Sequence, residues 1–342
     1  DVEHELVSTN YRVALIGDSF LRGFEVPDTS DVTAVLREMI PSVEFLNFSE
    51  SGYGTIQEYF TYETLASDFS PNVVMLFMMA NDLLDNNCML RAWRKGATGW
   101  AVPGSGKYPD YVKSGNGFRL YAATNAADIF ASRRNPAPGR SASPPEISRL
   151  KATASYRFYK ELKSITGLWK STLLSIGTSG DKASEAAPDD YPGAEGVNLP
   201  RHLADFAAFL PPPNKHIEEA WQVTEYMLRK LNARIRADGG VLVVCITPNR
   251  DMIEARMKNA VRGEKISRDV DYDYFYRRIR DIGRLDGFDT LDLYSSYASL
   301  DLDILSLYLK TDMHWNKAGH YVTARIVADY LRQNILKDHN HL

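Results

Sequence analysis

Along this chain of 342 residues, apolar and β-branched residues follow one another almost without interruption in five short runs, at residues 12–17, 43–48, 72–78, 241–247 and 288–293. A strand with one wet face alternates apolar and polar positions, whereas a strand covered on both faces need not. Continuous runs of this length therefore predict strands of a buried, parallel sheet. Between them the period changes. Residues 33–40, 56–67, 217–237, 271–285 and 318–336 repeat apolar positions every three to four residues, as in Trp221, Val223, Met227, Leu228, Leu231 and Ile235. That spacing lays one apolar stripe along a helix. Strands and helices in alternation predict an α/β fold, a doubly wound parallel sheet with helices on both faces.

The alternation stops between residues 96 and 215, where no convincing core strand appears. This stretch is expected to be an insertion in a catalytic domain formed by residues 1–95 and 216–342. Residues 132–145 are rich in Arg, Pro and Ser, and residues 177–196 in Gly, Ser, Ala and acidic residues, so both read as exposed loops. Residues 146–176 carry a helical pattern through Leu150, Tyr156, Phe158, Tyr159, Leu162, Leu168 and Trp169. A long excursion of this kind serves as a lid or substrate wall, or as structural decoration. Trp100, Tyr108, Tyr111 and Phe118 are its candidates for stacking on a substrate, although aromatic residues at such density also form local core.

Composition narrows the partners. The net charge is −4 and both signs are interspersed, so there is no basic footprint for nucleic acid, and small molecules or glycans are the expected ligands. The longest apolar run, residues 73–80, falls far short of the ~20 residues that cross a bilayer, so no membrane span is expected. Cys88 and Cys245 are read as free, buried thiols.

Candidate chemistry sits where the runs end. The first run leads into Gly17-Asp18-Ser19, and a parallel strand delivers the residues after it to the carboxyl edge of the sheet, where ligands bind in open α/β folds. A serine there is a nucleophile only if a base takes its proton; otherwise it starts the next helix as a cap. Such a base appears in Asp312-Met313-His314-Trp315, where an extended turn can set the carboxylate and imidazole side by side. The same pair could cap one another or ligate a metal, but no further ligand pattern accompanies it. His320 reads as a structural contact. After the second run, Gly52 and Gly54 of Ser51-Gly52-Tyr53-Gly54 let backbone N–H groups approach an anion, and after the third, Asn81 of Asn81-Asp82 offers a side-chain amide. Either feature alone is an ordinary turn or cap. Asn47-Phe48-Ser49 is a formal glycosylation sequon at the end of an apolar run and reads as structure. No G-x-S-x-G elbow surrounds Ser19, and Gly104-Ser105-Gly106-Lys107 lacks the remainder of a phosphate-binding loop.

Four polar blocks in this order resemble those of the SGNH (GDSL-like) hydrolases: Ser19, Gly52, Asn81 and His314 match the family's Ser, Gly, Asn and His. The resemblance implies a three-layer α/β/α sandwich around a five-strand, flavodoxin-like sheet. It also implies a triad of Ser19, Asp312 and His314, an oxyanion hole from Ser19, Gly52 and Asn81, and no cofactor or metal. Asp18, Gly54, Asp82 and Trp315 stand next to these positions as supporting or substrate-contacting residues. The family's usual block is Asp-x-x-His. Here Asp312-x-His314 is followed by Trp315, similar to the Asp-x-His-Trp signature of the alginate O-acetyltransferase-like branch, whose members act on exported polysaccharides. In that branch the pair precedes the serine, whereas here it comes after.

The expected activity is hydrolysis of a small acyl ester, acetyl above all, of a carbohydrate or related molecule through an acyl-Ser19 intermediate. Acyl transfer with the same triad is the alternative, and a non-catalytic glycan-binding domain the second. The resemblance, together with a numbering that opens on Asp1 rather than Met, implies an extracytoplasmic place of action.

Overall fold

The five apolar runs form the strands of one sheet: β1 (Tyr11–Gly17), β2 (Val43–Asn47), β3 (Val73–Met78), β6 (Val241–Ile246) and β9 (Asp289–Asp292). The structure, a computed structural model, describes residues 11–94, 109–115, 117–121, 201–210, 215–258, 260–261, 264–265 and 270–337. Residues 132–145, 146–176 and 177–196, with Trp100 and Tyr108, lie outside the described residues. All five strands pair in parallel, in the order β2-β1-β3-β6-β9. The order reverses at β1, which makes the crevice between the carboxyl ends of β1 and β3 the topological switch point.

Side chains alternate across the sheet. Val13, Leu15, Val73, Met75, Phe77, Val243 and Cys245 enter one apolar cluster with Val32, Val35 and Leu36 of helix Val32–Met39 and with Ala324, Val327 and Ala328 of helix Lys317–Tyr330. Their neighbours Ala14, Ile16, Val74, Leu76, Val244 and Ile246 are equally buried. On that second face, helices Thr55–Thr64, Lys215–Ala237 and Tyr274–Asp286 pack on one another and against β1, β6 and β9. Double burial is why the strands read as continuous apolar runs. Asp31 caps helix Val32–Met39 through the Ala34 N–H at 2.7 Å, a contact worth about 1 kcal/mol.

Two compact units divide the chain: Thr9–Thr98 with Pro192–Leu342, which holds the sheet, and Asp1–Ser8 with Gly99–Tyr191. Within the stretch set apart as an insertion, the 3-10 helix Arg201–Phe209 belongs to the sheet unit and buries Phe206 and Phe209, the latter against Phe275 at 5.6 Å between rings. In the other unit, β4 (Asp110–Ser114) and β5 (Gly117–Tyr121) form an antiparallel hairpin in which Tyr111 is buried and Phe118 half-buried. A second small hairpin joins β7 (Ala260–Val261) to β8 (Glu264–Lys265). Cys88 and Cys245 are buried, and neither is in a disulfide. Among the described residues, no helix is long and apolar enough to cross a membrane.

Candidate active site

Ser19 begins a four-residue helix, Ser19–Arg22, directly after β1, but the cap is its neighbour: the Asp18 carboxylate accepts the Phe20 N–H at 3.0 Å. The Ser19 hydroxyl is therefore not needed for capping. Its Oγ lies 2.8 Å from His314 Nε2. The other ring nitrogen, Nδ1, meets the Asp312 carboxylate in a short hydrogen bond, and the same carboxylate oxygen accepts the His314 backbone N–H at 3.0 Å. With Nδ1–H donating to Asp312, the lone pair on Nε2 accepts from the serine. Burial alone would raise the Asp312 carboxyl, but the two His314 donors, the charge on that ring and the Met313 N–H together outweigh it and hold it below its ordinary value.

The loop carrying this pair is built by Asn316. Its side-chain amide donates to the carbonyls of Ser306 at 2.8 Å and Tyr308 at 3.0 Å, while its carbonyl caps helix Lys317–Tyr330 through the N–H groups of Ala318 and Gly319. An isolated bridge between Tyr308 and Trp315 and the bond from Leu309 N to His314 O at 2.9 Å close the loop. Trp315 is fully buried, edge-on to Phe20 and to His320. Phe20 in turn lies 4.6 Å from the His314 ring, so the base has an apolar floor.

Gly52 comes after β2 with φ +77° and is exposed; Glu50 of the same loop is tied to the end of β1 by its N–H to the Gly17 carbonyl at 3.1 Å. Gly54 caps helix Thr55–Thr64, its N–H bonded to Gln57 Oε1 at 2.9 Å. Asn81, in helix Ala80–Asp85 just after β3, donates its Nδ2 hydrogens to Asp18 at 3.1 Å and to Asp82 at 3.2 Å. Asp82 also accepts the Met79 N–H at 2.7 Å. The structure thus brings Ser19, His314 and Asp312 into one hydrogen-bonded line, and joins Asn81 to Asp18 beside Ser19.

Two features carry no mark in the sequence. Glu58 is fully buried beside Asp18 and Asp82, and neither of its carboxyl oxygens has a hydrogen-bond partner. Burial first, and then the neighbouring carboxylates, push Glu58 and Asp82 well above the usual carboxylate range. Asp18 is also raised by burial, but the Phe20 and Asn81 donors and His314 pull it back. Glu58 sits in a helix buried on nearly every side, and a Glu among Thr, Gln and Tyr reads as solvated when only one face is assumed apolar. The second feature is Glu25, whose Oε1 lies 3.6 Å from His314 Nδ1. Nothing in its turn-forming context marks it for chemistry.

Asn47, the sequon residue, donates to Thr33 Oγ1 at 2.8 Å and to the Leu21 carbonyl at 3.3 Å, and accepts from Ser49, so its amide is committed to the fold. Among the described residues, no cluster of His, Cys, Asp and Glu has the makings of a metal site.

His320 is structural, and neutral. Burial, with a contribution from His314, depresses it from 6.5 to about 4, and neither ring nitrogen has a hydrogen-bond partner. The unfolded chain takes up this proton near 6.5 and the folded chain only near 4, so His320 costs folded stability as pH falls through that window. The gap between those two values corresponds to about 3 kcal/mol. Denaturant titrations of wild type and His320→Gln are expected to show their stability difference moving against wild type by that amount between pH 7 and pH 4. A difference independent of pH would mean that the folded state protonates His320 freely.

Residues 208–341 match the family model described as the SGNH hydrolase-like domain of acetyltransferase AlgX. No curated protein matches the chain. Among solved structures, TesA overlaps with 8% identity, 94% of this chain, 98% of that chain and a TM-score of 0.44. The acetyl xylan esterase AlAXEase overlaps with 12% identity, 94% and 99% coverage and a TM-score of 0.42. A lipase/acylhydrolase from Enterococcus faecalis does so with 8% identity, 94% and 96% coverage and a TM-score of 0.42. At such scores the overlaps are weak, and the strand order itself defines the fold. The chain has an α/β architecture around a five-strand parallel sheet, and over residues 208–341 it is similar to the SGNH hydrolase-like domain described for acetyltransferase AlgX.

Proposed function

We propose that the protein is a serine acyl-ester enzyme that removes a small acyl group, acetyl in the first instance, from a carbohydrate ester through an acyl-Ser19 intermediate. The observation that carries this reading is the unbroken line Asp312–His314–Ser19 at the sheet's switch point, with 2.8 Å between Oγ and Nε2. Ser19 Oγ attacks the ester carbonyl as its proton passes to His314 Nε2. Asp312 holds the ring in the required tautomer and stabilises the imidazolium. The Ser19 and Gly52 N–H groups and the Asn81 amide serve the tetrahedral oxyanion. The oxyanion competes with Asp18 and Asp82 for the Asn81 hydrogens, which those carboxylates hold in the free chain. His314 then returns the proton to the leaving alcohol, and water, activated by the same base, releases the acid. No cofactor enters the cycle. Trp315, being buried, supports the His314 loop from beneath.

A second reading, acyl transfer to a sugar hydroxyl, is favoured by the acetyltransferase description of the matched family. It uses the same groups and differs only in whether a hydroxyl replaces water in the second half-reaction. Both readings suit an exported glycan as substrate. A glycan-binding domain without turnover would leave the aligned proton path without a purpose.

Turnover of p-nitrophenyl acetate, with and without an oligosaccharide acceptor, separates these readings. Hydrolysis is expected to yield free acetate whether or not acceptor is present, with a transient acetyl group on the Ser19 peptide by mass spectrometry. Acetylated sugar forming at the expense of acetate would establish transfer instead. Binding of the oligosaccharide with no acetyl-enzyme and no turnover would sink both.

A further inference from the structure

The His314 ring faces two carboxylates. Asp312 reaches it from its own loop, and Glu25 from the turn just past the nucleophile helix. That turn is fixed: Gly23 ends the helix at φ +65°, where a Cβ would lie 3.0 Å from the His320 ring and 3.3 Å from Asp31 Cβ. The Val26 N–H then returns to the Gly23 carbonyl at 3.2 Å. Glu25 is thereby carried back toward the edge it has just left, and its Oε1 comes to 3.6 Å from His314 Nδ1.

Exposure separates the two acids. The Asp312 side chain is 45% exposed, whereas that of Glu25 is 22% exposed and that of His314 17%. A charge in contact with solvent is screened more than one that is partly enclosed. Asp312 makes the hydrogen bond, but part of its field is lost to water. Glu25 makes no hydrogen bond at 3.6 Å and acts through a less screened charge.

We infer that Glu25 is a second carboxylate for the His314 ring, a positioning residue that stabilises the imidazolium alongside Asp312 and can accept the Nδ1–H hydrogen bond when Asp312 is missing. The inference rests on the proposed triad. When Ser19 gives its proton to Nε2, the ring becomes a cation whose Nδ1–H stays bonded to Asp312 with Glu25 3.6 Å away, and no proton moves to either carboxylate. Other charged groups stand near the ring: Lys310 on the His314 loop, and Arg250, whose N–H donates to the Met313 carbonyl at 3.4 Å and whose guanidinium lies 3.9 Å from Glu254. Buried Asp18 lies behind the nucleophile, and His320, on the closing helix, is neutral above about pH 4. The guanidinium of Arg22, on the same turn as Glu25, sits over the Phe24 ring at 4.7 Å.

The test compares wild type, Glu25→Gln, Asp312→Asn and the double variant of the full chain. With p-nitrophenyl acetate, Glu25→Gln is expected to move the acid limb of kcat/KM to lower pH, since an opposite charge at this range favours the charged form of the ring. kcat should fall on the order of tenfold through lost imidazolium stabilisation, while KM stays unchanged. The Glu25→Gln change should cost more in the Asp312→Asn background than in wild type, because there Glu25 is the remaining acceptor. An acid limb that does not move in Glu25→Gln, or a double variant equal to Asp312→Asn, overturns the inference. Ser19→Ala, run alongside, separates the two layers: if it retains wild-type turnover the triad reading fails, whatever Glu25 does to the ring. If Ser19→Ala is inactive and Glu25→Gln leaves acid limb and rate untouched, only the role of Glu25 fails.

Discussion

Ser19→Ala is expected to lower p-nitrophenyl acetate turnover on the order of 10⁴-fold or more while leaving the unfolding transition in place. The size comes from the hydroxyl's part in the reaction. In the proposed cycle it is the attacking atom; it sits 2.8 Å from His314 Nε2, and among the described residues no other hydroxyl is bonded to His314. Its removal takes little from the fold, because the short helix it opens is capped by Asp18, and Phe20 and Leu21 keep their burial. Steady-state rates with a thermal melt of the same preparations make the check. Turnover within a few-fold of wild type would remove Ser19 from the mechanism, and a lost melt would show that the hydroxyl holds structure instead.

The second large effect lies in packing. At an exposed helical site, Gly→Ala stabilises by up to about 1 kcal/mol. Gly319 lies in helix Lys317–Tyr330, yet a Cβ there would fall 2.2 Å from the Leu307 carbonyl and 2.9 Å from Trp315 Cβ. Backbone on one side and a fully buried indole on the other leave nothing to yield, so Gly319→Ala is expected to destabilise by about 3 kcal/mol, with the sign of the helix preference reversed. Activity should fall with it, since relief of the clash requires Leu307 or Trp315 to move, and both belong to the loop that holds His314. Gly117→Ala is the control: its nearest neighbour would be 4.0 Å away, and the change should stay within about 0.5 kcal/mol. Denaturant midpoints of the two variants decide it, and equal shifts would refute the packing argument.

The sheet was legible because burial on both faces leaves a mark in each strand. Runs such as residues 72–78 admit few polar residues, and the observed strands start and stop within about a residue of them. Short helices left less. Arg250–Lys258 and Ala80–Asp85 have too few turns for a stripe to emerge, and the polar residues of the second are turned inward to the site. For the site itself, Ser19, Asp312 and His314 stood out because their chemistry requires fixed types in a fixed order at strand ends. Glu25 and Glu58 did not, since each matters through a contact across the fold. One is returned to the edge by a turn at Gly23, and the other lies in a helix whose burial depends on what packs around it. Asp18 was legible as a neighbour of the nucleophile but not as helix cap and anchor of Asn81 together, because the second task needs β3 in place.

The serine and its base meet across 295 residues of sequence. At about 5–20 residues per second, a ribosome delivers His314 about 15–60 s after Ser19. The first strand and the residues proposed as nucleophile and oxyanion donors are thus made long before His314, and until the closing helix docks, Ser19 has no base beside it. Under the proposed function, chain order alone delays the chemistry, so a half-made molecule cannot attack the esters it meets.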